Sequence, residues 1–354
     1  MNLLIKKLPI YFLMTPVFIF SMIDFNTLKI PIYYSIKSGM GYDSNFLKIS
    51  DDEVSRFNIN NELYDNLKSL DSPIYILGGG LKYQPYLIKK HKSIFQFNYI
   101  YTSYIQLSKK SYHSFKFSIN QHIAKYQWVK INYSYIPDYY LRPYRDKDNS
   151  IIYESDDYQM YEGCNFDNSI LSIEYSRKLF KKLFISIKSE NAKQYFAPLF
   201  TEFDLNIKGW GVGLHFKPKN HRLKFLYQYH DANNITKNDN LYSTEFMDRG
   251  YKEHAIKIYY SIKSRWGGHV ILKNRNYISN RIYDQLHVDR LHNDNSVYLW
   301  LTQKLSKILT VRVTISYRNR MTQSDYAWVE DLKSYNKYNL GFTFTYKGVS
   351  EVLF

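Results

Sequence analysis

The chain has 354 residues, a hydrophobic fraction of 45% and a formal net charge of +16. Its mean hydropathy of -0.45 is too polar for a bundle of membrane helices. The single cysteine, Cys164, excludes an intrachain disulfide and indicates little about the redox compartment.

The first predicted element is a leader. The only long apolar run, Leu8 to Ile23, follows Lys6 and Lys7, which is the basic and then apolar order of a secretory signal peptide. We therefore expect a signal peptide at 1–23 and a short periplasmic segment at 24–29. An uncleaved anchor is disfavoured because the run is short and interrupted by proline. A lipid anchor is disfavoured because no cysteine lies near the run.

From residue 30 onward, apolar and polar side chains alternate with the period of a β-strand. In one segment, Leu309, Val311, Val313, Ile315 and Tyr317 alternate with Thr310, Arg312, Thr314, Ser316 and Arg318. A helix would scatter this pattern, whereas a strand sorts it onto two faces. One face could lie in hydrocarbon and the other in water, which is typical of a transmembrane β-barrel.

The alternation predicts about 14 strands. In chain order they are 30–45, 73–87, 93–106, 112–124, 128–141, 165–177, 183–195, 202–216, 222–230, 251–262, 266–277, 296–304, 308–318 and 335–346. Short connections such as 88–92 alternate along the chain with long polar connections such as 46–72 and 142–164. In this class of barrel, tight turns face the periplasm and longer loops face the exterior.

The sequence therefore predicts an all-β fold, a transmembrane antiparallel up-and-down β-barrel at 30–346 with a C-terminal extension at 347–354. A soluble β-sandwich is the main alternative. It is disfavoured because a sandwich does not require turns and loops to alternate strictly, nor aromatic-rich strands of this length. Tyrosine is abundant, with 37 residues, and barrels place Tyr and Trp where lipid meets water.

Gly209 lies where the apolar phase changes. Leu205 and Ile207 precede it in one phase, and Trp210 and Val212 follow in the other. A bulge at Gly209 would restore the pattern of inward and outward side chains. A phosphate-binding glycine loop is disfavoured, because no helix-forming stretch or Lys-Ser/Thr pair follows.

The last predicted strand carries a polar residue, a glycine after one spacer, and two aromatic residues at alternate positions. These are Asn339, Gly341, Phe344 and Tyr346, and the chain ends in Phe354. The strand thereby resembles the C-terminal recognition signal of Gram-negative outer-membrane barrels. The resemblance implies an outer-membrane location and the barrel-insertion machinery as a partner. Either Tyr346 or Phe354 could be the residue that this machinery reads.

The segment Gly41 to Asn45, GYDSN, is similar to an opening found in several outer-membrane barrel families. Among them is the barrel part of surface-lipoprotein assembly modifiers, whose periplasmic helical-repeat domain has no counterpart here. The resemblance implies one alternative function, an export or surface-assembly barrel that works with a periplasmic partner. A structural or adhesive barrel that acts through its loops is another.

If the apolar faces meet lipid, the opposite faces line a lumen. The basic residues in that phase are Lys37, Lys82, Lys116, Lys130, Lys188, Lys224, Lys257, Lys273, Arg275, Lys304, Arg312 and Arg318. The acidic residues assigned to it are Glu174, Glu190 and Asp204. Rings of Lys and Arg favour anions, so the sequence predicts a porin-like passive channel for small, preferentially anionic solutes. Alternatively, some of these cations contact acidic lipid head groups or pair with loop carboxylates.

Two long loops are candidates for a constriction of the lumen. Phe46 to Ser72 and Arg142 to Cys164 are both rich in Asp and Glu, which could meet the basic wall. The segment 24–29 is too short for a plug. The outer faces could serve lipid or a neighbouring protomer equally well, so a homo-oligomer stays open.

Histidines near the loops are candidates for catalytic or metal-binding groups. The candidates are His230 with Asp231, and His287 with Asp289 and His292. Neither set has the spacing of a helical metal motif, so we expect no enzymatic activity, no metal and no cofactor. Nucleic-acid binding is disfavoured because the tyrosines share the apolar face with Leu and Ile.

Overall fold

The structure is a computed structural model. It describes residues 30–59, 67–88, 91–145, 161–235, 249–263, 265–279 and 284–352. The predicted signal peptide at 1–23, the segment 24–29 and Phe354 lie outside the described residues.

Fourteen antiparallel strands form one closed barrel. Each strand pairs with its neighbours in sequence, and the first and last strands pair from Ile30 with Val352 to Asp43 with Asn339. This confirms the predicted all-β, up-and-down barrel. The strands are β1 (Ile30–Asp43), β2 (Ser72–Tyr83), β3 (Ser93–Tyr104), β4 (Tyr112–Ala124), β5 (Gln127–Arg145), β6 (Tyr161–Phe180), β7 (Leu183–Phe196), β8 (Leu205–Phe216), β9 (His221–Asn234), β10 (Tyr251–Ile262), β11 (Trp266–Tyr277), β12 (Leu291–Lys304), β13 (Leu309–Gln323) and β14 (Tyr335–Val352).

Most of the longer connections lie at one end of the barrel and most of the shorter ones at the other, although the turn-end connection 84–92 is longer than the loop-end connections 105–111 and 197–204. The loop end carries the connections 44–71, 105–111, 146–160, 197–204, 235–250, 278–290 and 324–334. The turn end carries 84–92, 125–126, 181–182, 217–220, 263–265 and 305–308, together with the start of β1 and the end of β14. Short turns face the periplasm in barrels of this class, so the loop end faces the exterior.

Several strands are longer than the alternation predicted. Part of the stretch predicted as the loop 142–164 is strand, because β5 runs to Arg145 and β6 begins at Tyr161. β14 continues to Val352, so Lys347 to Val352 belong to the barrel wall and not to a C-terminal extension. Beyond the bilayer both faces of a strand meet water, so the alternation fades while the hydrogen-bond ladder continues.

The predicted bulge at Gly209 is wrong. The register of β8 with β7 and with β9 runs without a shift from Leu205 to Phe216. Leu205 and Ile207 point inward and are buried in a cluster near the loop end, which also contains Ala232 of β9. The apolar phase changes because this cluster fills the inside of the wall there, and no residue is inserted.

The outer face of the barrel is apolar. On β12, Val297, Leu299 and Leu301 are 37%, 51% and 55% exposed, and comparable side chains project from the other strands. So much exposed apolar surface is unfavourable in water and suits hydrocarbon. With every strand edge paired in the closed sheet, this is the architecture in which β-sheets cross a bilayer.

Two tyrosine pairs mark the borders of this apolar belt at the junction of β1 and β14. The rings of Tyr34 and Tyr346 lie 6.2 Å apart near the turn end, and those of Tyr42 and Tyr338 lie 5.9 Å apart near the loop end. Tyr34 and Tyr42 are separated by about 26 Å along the strand, or about 20 Å along the axis at a 40° tilt. This distance is close to the roughly 25 Å height expected of a lipid-facing band.

Two α-helices lie in loops at the loop end, α1 (Asp51–Ile59) and α2 (Ala327–Lys333). Short 3-10 helices occur at Ser108–Lys110 and Pro198–Phe203. Across the described residues, none of the helices has the length and apolar character needed to span a membrane.

Candidate functional site

Ion pairs between strands that are not neighbours identify the inner face of the wall. Lys224 of β9 lies 3.9 Å from Glu174 of β6, and His230 of β9 lies 3.4 Å from Glu190 of β7. Side chains on the convex side diverge, so contacts that skip a strand form only on the concave side. These four residues therefore point into the lumen.

The ladder pairs extend this assignment around the barrel, because directly paired residues share a face. On this criterion, the structure places the following sequence-predicted residues on the inner face: Lys37, Lys82, Lys116, Lys130, Lys188, Lys224, Lys257, Lys273, Arg275, Lys304, Arg312 and Arg318.

Asp204 was wrongly assigned to the lumen. It lies just before β8, is buried, and accepts a hydrogen bond from the backbone N–H of Phe196 at 2.6 Å. The carboxylate therefore fixes the connection between β7 and β8.

Part of the inner face is exposed to solvent. Lys116, Asn98 and Arg312 point inward and are nevertheless exposed. In a small barrel the inward side chains fill the interior, whereas larger barrels leave room for water. The lumen therefore has water-accessible space along part of its length.

Five inward-facing carboxylates of the strands each have a basic partner. Asp43 pairs with Lys337 at 2.6 Å, Glu174 with Lys224, Glu190 with Lys188 and His230, Glu253 with Lys273 at 3.2 Å and Arg275 at 2.7 Å, and Asp294 with Arg318 and with Arg320 at 2.8 Å. None of these negative charges is left uncompensated.

Several inward cations, by contrast, make no ion pair with any residue that the structure describes. They include Lys37, Lys82, Lys116, Lys130, Lys257 and Arg312. Arg312 donates from Nε to the hydroxyl of Thr302 at 3.0 Å, and the ammonium of Lys82 lies 5.7 Å from the centre of the Tyr33 ring. The described inner wall thus carries a net positive charge.

Gly209 allows one of the ion pairs to form. A Cβ atom at this position would collide with the imidazole ring of His230. With hydrogen there instead, His230 can reach across β8 to Glu190 while its Nδ1 atom lies 3.4 Å from Glu253. The glycine therefore leaves space for a contact that passes over β8 on the inner face of the wall.

The described residues of the connection 44–71, hereafter the first loop, are packed inside the barrel at the loop end. This supports the predicted constriction by Phe46 to Ser72 for the described residues 44–59 and 67–71. The ring of Phe46 lies 5.7 Å from that of Tyr104 in the wall, and Tyr140 of β5 joins the same cluster. The loop residues buried in it are Phe46, Leu47, Ile49 and Leu67.

Glu53 of α1 fixes the first loop to strand β5 of the wall. The Nη1 atom of Arg142 on β5 lies 2.9 Å from both carboxylate oxygens of Glu53. Glu53 also accepts from the backbone N–H of Ser50 at 3.1 Å, while the Ser50 hydroxyl accepts from the N–H of Glu53 at 3.1 Å. This reciprocal pair is a capping box, so one carboxylate starts the helix and anchors it.

Lys48 places a further amine at the constriction, close to Asp43 and to Arg318 and Lys337 of the wall. Burial and the nearby cations lower the pKa of Lys48 to about 7. Lys110, just before β4, is buried and donates to the carbonyl oxygens of Tyr140 at 2.6 Å and Leu141 at 3.0 Å. Burial and the charge of Lys48 lower the pKa of Lys110.

The histidine pairs suggested by the sequence do not assemble. His230 and Asp231 are successive residues of β9 and point to opposite faces. His287 bonds through Nδ1 to Asp284 at 2.8 Å instead of Asp289. Burial lowers the pKa of His287 to about 3, so the ring is neutral.

Asp284 also accepts from the hydroxyl of Ser279 at 3.0 Å. Ser279 thus bonds to the carboxylate and not to the imidazole, which is not the order of a catalytic triad. In the part of the chain that the structure describes, no group of three or more His, Cys, Asp or Glu residues could hold a metal ion.

The predicted insertion signal is divided between the two faces of β14. Asn339 and Gly341 point inward, where they pair with Ser316 and Thr314 of β13. Phe344 and Tyr346 lie on the lipid side and are 41% and 40% exposed. Tyr346 is not the end of the strand, and Phe354 lies outside the described residues.

Sequence reasoning missed the acidic partners Asp43, Glu253 and Asp294 and the basic residues Arg320 and Lys337. Asp294 and Arg320 fell just beyond the predicted ends of their strands. The other three lay within predicted strands, and their phase could have identified them. Glu53 could have been found from the capping-box pattern Ser50-x-x-Glu53.

Comparisons with known proteins concern the barrel as a whole. OmpT, an outer membrane protein of Vibrio cholerae, is 10% identical, covering 90% of this chain and 97% of that one, with a TM-score of 0.45. The outer membrane channel DcaP of Acinetobacter baumannii is 10% identical, covering 90% of this chain and 97% of that one, with a TM-score of 0.44. An anion-selective porin from Comamonas acidovorans is 6% identical, covering 90% of this chain and 99% of that one, with a TM-score of 0.43. These similarities are low. No protein-family model matches the chain, and no curated protein matches it.

The closed wall, the apolar belt and the aromatic borders are features of this chain itself. Together they are the architecture of a transmembrane β-barrel of the outer-membrane type.

Proposed function

We propose that the protein is a porin-like passive channel for small hydrophilic solutes, with a preference for anions. The observation that carries the proposal is the difference in pairing on the inner wall. Asp43, Glu174, Glu190, Glu253 and Asp294 are all neutralised by neighbours, whereas cations such as Lys37, Lys116 and Arg312 are not. In a narrow, low-dielectric wall, this excess positive charge raises the local concentration of anions.

The first loop sets the size limit in this proposal. It occupies the lumen at the loop end through the Phe46 cluster and the Glu53–Arg142 pair. A solute must pass the remaining space beside α1, so the channel admits small solutes only.

Single-channel recording in planar bilayers tests the function. Under a KCl gradient, the purified protein should conduct and give a reversal potential of the sign for chloride selectivity. The double variant Lys37→Gln/Arg312→Gln should lower the chloride-to-potassium permeability ratio about fivefold, since each lost charge is worth up to about 1 kcal/mol at 4 Å in water.

The matched control is Lys252→Gln, which removes a cation from the outer face of β10 and should leave the ratio unchanged. A protein that inserts but never conducts would exclude a channel and favour an adhesive barrel. Conductance with cation selectivity would reject the anion preference alone.

A further inference from the structure

A cavity of about 260 Å³ lies near the turn end of the inner wall. Its inward-facing lining combines the basic groups of His215, Lys217, Arg222 and Lys224 with the rings of Tyr259 and Trp300. Pockets for drug-sized ligands are roughly 300–1,000 Å³, so this one suits a smaller molecule with a single ring.

The cations of the cavity are poorly compensated. Lys217 and Arg222 make no ion pair with any described residue, and Lys224 has only Glu174 at 3.9 Å. Burial and the charges of Arg222 and Lys224 lower the pKa of Lys217, which lies in the turn between β8 and β9. Bringing these like charges together has an energetic cost that a bound anion would offset.

The position of the Trp300 ring in the cavity depends on the neighbouring strand β11. Trp300 of β12 lies over Gly267 of β11, where a Cβ atom would come within 2.7 Å of the indole Cζ2 atom. The indole therefore reaches past β11 toward the cations of β9. His269 and Tyr298 hold it in place, with ring-centre distances from Trp300 of 6.4 Å and 5.8 Å.

The cavity therefore has two kinds of surface close together, first a cationic one and second an aromatic one. A guanidinium such as that of Arg222 binds a carboxylate through two parallel hydrogen bonds. The faces of Tyr259 and Trp300 offer stacked or edge-on contacts to a planar ring. A simple inorganic anion would use the first surface only.

We propose that this cavity is a binding site for small aromatic carboxylates at the periplasmic end of the lumen. The proposal rests on the channel function and specifies a class of solute for it. Such a solute would bind with its carboxylate toward Arg222 and its ring against Trp300.

The test compares benzoate with acetate, which has the same charge and no ring. In bilayers carrying a chloride current, benzoate should reduce the current at about tenfold lower concentration than acetate. Trp300→Ala should abolish this difference, and Arg222→Gln should weaken the effect of both anions. Two control variants are Trp210→Ala, on the outer face of β8, and Arg312→Gln, which lies outside the cavity. Both should keep the benzoate preference.

Calorimetric titration of benzoate into the detergent-purified full chain measures the site without requiring conduction. Saturable binding that Trp300→Ala weakens about tenfold is expected. Chloride current with equal block by both anions, or no saturable binding in the titration, would overturn the proposed site and leave the channel intact. Binding without any current would instead overturn the channel function.

Discussion

The loop-end half and the turn-end half of the lumen differ in how their charged side chains are paired. Toward the loop end, Glu53 with Arg142, Glu253 with Arg275 and Asp294 with Arg320 join the first loop and the strands to one another. From the middle of the wall toward the turn end, Lys37, Lys82 and Arg312 have no carboxylate partner among the described residues, although Glu174 in this region pairs with Lys224.

This contrast separates charges that hold the structure from charges that a solute meets. A paired, buried ion is compensated, so its field is largely cancelled, and its removal is expected to disturb structure. An unpaired ion in a water-accessible wall contributes its full charge to the potential of the lumen. Charge substitutions in the two halves should therefore affect different measurements.

The largest expected effect comes from breaking a pair at the loop end. Glu53→Gln removes the carboxylate that pairs with the Arg142 guanidinium, and the Arg142 side chain is only 11% exposed. Loss of one partner of a buried pair costs about 3 kcal/mol or more. We expect the first loop to leave the lumen, with a larger single-channel conductance and faster proteolysis within residues 44–71.

The control for this change is Asp51→Asn, which removes a charge from the exposed first position of the same helix. Its conductance should match that of the unmodified protein. If Glu53→Gln also left both conductance and proteolysis unchanged, the ion pair would not hold the loop.

A smaller effect distinguishes Arg312 from Arg318. Asp294 binds both Arg318 and Arg320, so this cluster has a net charge of +1, and Arg318→Gln leaves a neutral pair in place. Each substitution removes one positive charge, but Arg312 is exposed to the lumen whereas Arg318 is only partly exposed and lies beside a carboxylate. The shift in reversal potential under a KCl gradient should therefore be larger for Arg312→Gln. Equal shifts would mean that pairing does not decide which cations a solute meets.

The smallest expected effect is a pH dependence near neutrality. The pKa of Lys48 is lowered from 10.5 to about 7, so the docked first loop binds fewer protons than a released loop between these pH values. Docking should therefore strengthen as pH rises from about 7 to 10.5, and it should not change with pH below about 7, where both states bind the proton. Because Lys48 also loses its charge, anion current should fall between pH 6 and pH 8. Lys48→Gln should remove this step, and a step that persists in the variant would assign it to another group.

The sequence predicted the membrane-spanning parts of the strands better than the ends of the strands. Strands β4, β10 and β11 have the predicted bounds because lipid on one side and water on the other enforce alternation. That signal disappears where a strand rises above the bilayer, as at the end of β5. The cluster around Leu205 reversed the expected phase because apolar residues can also face inward.

The candidate site could be predicted in part. The phase of each strand indicated which cations point inward, but pairing depends on distances between strands that a single sequence does not contain. The contacts of Glu53 with Arg142 and of His230 with Glu190 join residues far apart in the chain or across an intervening strand. The contribution of Trp300 depends on a glycine, Gly267, whose role appears only when the two strands are paired.

The pairing of β1 with β14 has a consequence for how the protein is made. Its partners, from Ile30 with Val352 to Asp43 with Asn339, lie at opposite ends of the sequence. Closure of the sheet must therefore wait until the last strand has been synthesised, and contacts of such long range form slowly. Until then β1 presents an unpaired edge, which invites association with other chains. A folding intermediate of this protein would need protection by a chaperone during transit to the bilayer.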